Sequence, residues 1–80
     1  MGKKFPAVNY REILKIAKKL GFRFYRQAKG SHEIWRRNSD GRQTTLLNHG
    51  KKIIKRRTLK AILEDFQISL EEFVKLKKDK

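Results

Sequence analysis

No cysteine occurs in the 80 residues, and proline, tryptophan and methionine occur once each. The missing thiol excludes disulfide bonds and thiolate metal sites and fits a reducing compartment. Long apolar runs are missing too, and none approaches the roughly 18 residues that a bilayer-spanning helix needs. The stretch MGKKFPAVNY lacks the apolar core of a secretion signal. Acidic residues are scarce, 8 against 22 Lys and Arg, for a net charge of +14. The expectation is a soluble cytoplasmic protein with no membrane partner. It forms a single domain over residues 1–80, with an ordered core at about 8–74 and a basic tail at 75–80. A chain of this length buries only about 60% of its unfolded surface, which leaves no room for a large cofactor pocket.

What the sequence has is positive charge throughout. Residues 1–40 hold 11 basic and 3 acidic groups, and residues 41–80 hold 11 and 5. A field spread this evenly attracts polyanions rather than marking a detachable tail. Nucleic acid, an anionic membrane surface and acidic proteins are the partner classes it favours.

The apolar spacing then sets the order of elements. Asn9 and Glu12 form a capping box, Val8 and Ile13 its hydrophobic staple. Tyr10, Ile13, Leu14, Ala17 and Leu20 follow helical spacing, and Gly21 supplies a stop. Three strand-like runs follow: FRFYRQ, SHEIWRR and RQTTLL, with Asp40-Gly41 as the turn between the last two. Their short connections force an antiparallel meander. Thr58 is placed to cap a second helix carrying Leu59, Ile62, Leu63 and Phe66. Ser69 and Glu72 form another capping box, opening a short third helix with Leu70, Phe73 and Val74. The predicted class is α+β, in the order α-β-β-β-α(-α). Two helices pack on one face of a three-stranded antiparallel sheet, as in double-stranded-RNA-binding domains. The other face stays open and cationic.

His32 is either a candidate catalytic residue or a strand-edge histidine that orders the Gly30 turn. As a strand, residues 31–37 put His32, Ile34 and Arg36 on one face and Glu33, Trp35 and Arg37 on the other. Each set holds one apolar residue, so the pattern leaves both faces open as the core side. No nucleophile–histidine–acid constellation is visible, and the histidines and acids show no metal-ligand spacing. RNA asks for less, because one near-neutral acid or base plus cations around the phosphate can cleave it. Lys29, Arg36, Lys51, Lys52, Lys55, Arg56 and Arg57 are candidate phosphate contacts, helped at Thr58 by the positive end of a helix dipole. His49 either braces its loop or contacts phosphate. Ser31 orders the turn before His32 or contacts RNA. Tyr25 and Trp35 either stack on unpaired bases or pack across strands.

Nearly the whole chain resembles the HicA toxin family of small mRNA interferases. The resemblance runs through KKLGFRFYRQAKGSHEIWRR, with its Gly-Phe, Arg-Gln and Gly-Ser-His elements, and through GRQTTLLNHGKKIIKRRTLKAILEDFQIS. It implies a double-stranded-RNA-binding-like fold and a HicB-type antitoxin as partner. It also implies endoribonuclease cleavage of mRNA that depends on His32, with no metal or other cofactor. Two positions depart from the family pattern. Leu47 stands where proline is common, and Arg57 where glycine is common, and both bear on the basic loop. The alternative reading is a non-catalytic double-stranded-RNA-binding module.

Overall fold

The computed structural model describes residues 6–78. Its elements are α1 (Tyr10–Lys19), β1 (Phe22–Gln27), β2 (His32–Arg37), β3 (Arg42–Leu47), α2 (Arg56–Phe66) and α3 (Leu70–Lys78). The strands form one antiparallel sheet in the order β1-β2-β3. Class and element order are as predicted.

α1 starts where the capping box places it. Asn9 Oδ1 accepts from the Glu12 N–H at 3.1 Å, and Glu12 Oε1 accepts from the Asn9 N–H at 3.1 Å. Gly21, at φ 92°, takes the left-handed conformation that ends the helix without a side-chain penalty. Gly41, at φ 71°, does the same in the β2–β3 turn. That turn is held by a forked ion pair. Arg37 donates to Asp40 Oδ1 at 3.1 Å and Oδ2 at 2.8 Å. The hydrogen bonds from Arg37 are the main reason the Asp40 carboxyl lies below its ordinary range. The same guanidinium donates to the Leu20 carbonyl at 3.1 Å and lies 4.7 Å from the centre of the Phe22 ring. It therefore ties the end of β2 to the α1–β1 junction.

α2 begins earlier than its apolar spacing suggests. Thr58 is not the cap: Lys55 holds that position, extended at φ −63° and ψ 145°, with no side-chain capping bond. The chain arrives there from a clamp, in which Ile53 bridges Asn9 and the Ile54 N–H donates to the Val8 carbonyl at 2.8 Å. The clamp fixes the backbone immediately before Lys55, so the turn closes on Arg56 and leaves Thr58 inside the helix. At the other end of α2, Gln67 is left-handed at φ 60°.

The second capping box also forms, with Ser69 and Glu72 exchanging bonds of 3.1 Å. α3 runs on to Lys78, beyond residue 74 where the ordered core was expected to end. Leu76 packs against the core, and Lys77 lies 3.8 Å from Glu12 on α1, which anchors the last turns. Residues 79 and 80 of the expected tail lie outside the described residues.

One apolar cluster joins all the layers. Ile13, Ile16 and Ala17 of α1 meet Phe22, Trp35 and Leu46 of the sheet, then Leu59, Ile62, Leu63 and Phe66 of α2 and Phe73 of α3. Phe22 and Phe66 rings sit 5.1 Å apart at its centre. No described helix is long and apolar enough to cross a membrane.

Candidate functional site

β2 alternates from His32 to Trp35, and the structure decides its faces. Glu33 and Trp35 point toward the helices, only 8% and 6% exposed. His32, Ile34 and Arg36 therefore occupy the open face. A buried carboxylate is costly unless its oxygens are bonded, and Glu33 is well supplied. It accepts from the Tyr10 hydroxyl, from Trp35 Nε1 at 3.1 Å and from Asn48 Nδ2 at 3.4 Å. Burial, and then the neighbouring Glu33 carboxylate, raise the Tyr10 phenol above its ordinary pKa, so it stays protonated as the donor. Glu33 thus joins α1, β2 and the loop after β3.

Directly beside it, His32 is exposed and paired in register with Leu47. Its backbone is held from several sides. Gln27 Nε2 donates to the Gly30 carbonyl at 3.0 Å and to the His32 carbonyl at 3.1 Å. The Ala28 N–H donates to the same His32 carbonyl at 2.8 Å, and the Asn48 N–H donates to the Ser31 carbonyl at 3.0 Å. No described side chain hydrogen-bonds to the imidazole. The result is a fixed backbone carrying an exposed ring.

The other predicted residues fall into three groups. Lys29 and Ser31 lie in the β1–β2 hairpin with His32, both exposed. Arg36 shares the open face but sits four residues along β2, roughly 13 Å away at ~3.3 Å per residue. Its guanidinium stands over the Tyr25 ring at 5.4 Å, and its Nε is shielded with no hydrogen-bond partner. His49, Lys52 and Lys55 line an apolar-floored cavity of about 250 Å³ between the loop, β3 and α2. Lys51 is exposed in that loop, and Arg56 and Arg57 are exposed in the first turn of α2. The loop leaves β3 at Leu47, the register partner of His32, so its start adjoins the histidine and its end leads into α2. Among the described residues, no group of three His, Asp or Glu side chains is placed to hold a metal ion.

Two expectations are separated here. Trp35 is a core residue, locked by Glu33 and by an edge-on contact with Phe24 at 5.9 Å, so it offers no stacking surface. Tyr25 is 52% exposed. Gln27 and Tyr10 were visible only as part of the Arg-Gln element and of the helical spacing, and Asn48 not at all; their supporting bonds depend on the turn and on contacts far along the chain.

Residues 10–68 match the family described as HicA toxin of bacterial toxin-antitoxin. No curated protein matches the chain.

Proposed function

The chain belongs to the HicA toxin family of bacterial toxin–antitoxin systems, and from that premise we propose that it is an endoribonuclease that cleaves mRNA. The observation carrying this reading is the exposed His32 in a hairpin whose backbone is held by Gln27, Ala28 and Asn48, on an open cationic sheet face. Its imidazole exchanges a proton with the attacking or the leaving oxygen of the phosphodiester. Lys29 and Ser31 flank it in the hairpin. The cations from Lys51 to Arg57 bind neighbouring phosphates, and the start of α2 adds the positive end of its dipole. Cations concentrated at one end of a helix oppose that dipole, and an anionic ligand relieves the opposition. The chemistry calls for no metal, since proton transfer and charge stabilisation together suffice. The partner that silences the toxin is a HicB-type antitoxin, an acidic protein covering the basic face in the cytoplasm.

His32→Ala tests the assignment, with single-stranded RNA and a chelator present. The expected result is a cleavage rate lower by roughly 10²–10⁴-fold, with RNA affinity and folding almost unchanged. A variant that cuts as fast as wild type removes His32 from the chemistry. If neither protein cuts and both bind duplex RNA, the chain is a binding module.

A further inference from the structure

The open face carries a second feature that proton transfer at His32 does not use. The β1–β2 register pairs Phe24 with Trp35 and Arg26 with Ile34, which leaves Tyr25 as the extra residue of a β-bulge. A bulge re-aims the side chain it carries. Here it turns Tyr25 to the open face, against Arg36, whose guanidinium lies 5.4 Å from the ring centre. The ring is steadied by that cation yet keeps 52% of the residue exposed. Arg23, opposite Arg36 in register, and Arg26, opposite Ile34, are exposed on the same side.

We propose that Tyr25 and Arg36 form a subsite for one unpaired RNA base, with Arg23 and Arg26 holding the adjoining phosphates. This deepens the ribonuclease reading and rests on it for the identity of the ligand. An exposed ring offers stacking to any base, but only to one not already paired. A duplex presents no free base face, so the subsite selects single-stranded RNA. Tyr25 lies beside the Arg26–Ile34 pair, and Ile34 is two residues from His32 along β2. At ~3.3 Å per residue that is about 7 Å, so a strand with a base on Tyr25 runs its backbone past the histidine.

The test measures binding of dodecameric 2′-O-methyl uridine, its internal 2′-OH nucleophile blocked, against a 2′-O-methyl duplex and an abasic strand of equal charge. Tyr25→Ala is expected to weaken the uridine strand about tenfold, the loss of one stacked base. Duplex and abasic binding stay within about twofold of wild type, as unpaired-base stacking requires. Tyr25→Phe retains wild-type binding of the uridine strand. Equal losses on all three ligands, or no loss on the uridine strand, overturn the proposal. So does a Tyr25→Phe variant as weak as Tyr25→Ala. Because the readout is binding and not cleavage, failure leaves the His32 assignment standing, and an inactive His32 leaves this result readable.

Discussion

His32 and Glu33 are chain neighbours with opposite circumstances. Glu33 is buried under three donors drawn from α1, β2 and the loop after β3. His32 stands in solvent, its ring unengaged by any described side chain. The pleat of one strand makes the difference, since successive side chains face opposite ways. One face of β2 fastens the molecule together, and the other leaves its side chains toward solvent. The inward face is dense with long-range bonds, and the outward face has few of its own.

The widest gap between the faces should show on β3. Leu46 is fully buried and Thr45, its neighbour, is exposed. Leu46→Ala should cost about 2–5 kcal/mol in urea unfolding, and Thr45→Ala no more than about 0.5 kcal/mol. Equal costs would mean that the faces are assigned wrongly. On β2 the same comparison is smaller. Glu33→Ala strands the Tyr10, Trp35 and Asn48 donors and should cost about 1–3 kcal/mol. His32→Ala should leave the unfolding midpoint nearly where it was, a shift below about 0.5 kcal/mol. The finest contrast is in pH. Tyr10→Phe loses one hydrogen bond, about 1 kcal/mol near neutrality. The folded phenol titrates above its ordinary value of 10.0, so wild type holds this advantage below that pH. As pH rises beyond it, the unfolded phenol ionises while the folded one cannot, and the advantage is lost. The stability difference between the two proteins should shrink in buffers above pH 10. A constant difference would separate Tyr10 from the Glu33 network.

The sequence reveals much of this scaffold because its signals are local. The Asn9–Glu12 and Ser69–Glu72 boxes each act over three residues, and both form as expected. The Asp40-Gly41 turn is equally short-range. β2 was ambiguous because its inward face includes a carboxylate. What makes Glu33 tolerable inside is Tyr10, 23 positions earlier, and Asn48, 15 positions later. Neither is visible from HEIWRR alone. The start of α2 was misplaced for a related reason. Leu59, Ile62, Leu63 and Phe66 reveal which side of the helix is buried, but its first residue follows from the clamp between Ile53–Ile54 and Val8–Asn9. Within the candidate site, His32 and its hairpin neighbours were legible from Gly-Ser-His and its setting. The different fates of Tyr25 and Trp35 were not, because a one-residue bulge shifts which side a strand residue faces.

That bulge has a consequence for how the molecule behaves in a crowd. A three-stranded open sheet has two unpaired edges, and β1 is one of them. Its row of unused N–H and C=O groups is a template on which another extended chain can assemble. A regular, flat edge would invite copies of this protein to stack into fibrous aggregates. The irregularity at Tyr25 breaks the edge's hydrogen-bonding rhythm, and Arg23 and Arg26 bring like charges together whenever two such edges approach. Three of the four residues that we assign to gripping a nucleotide thus also make β1 a poor template for a second copy.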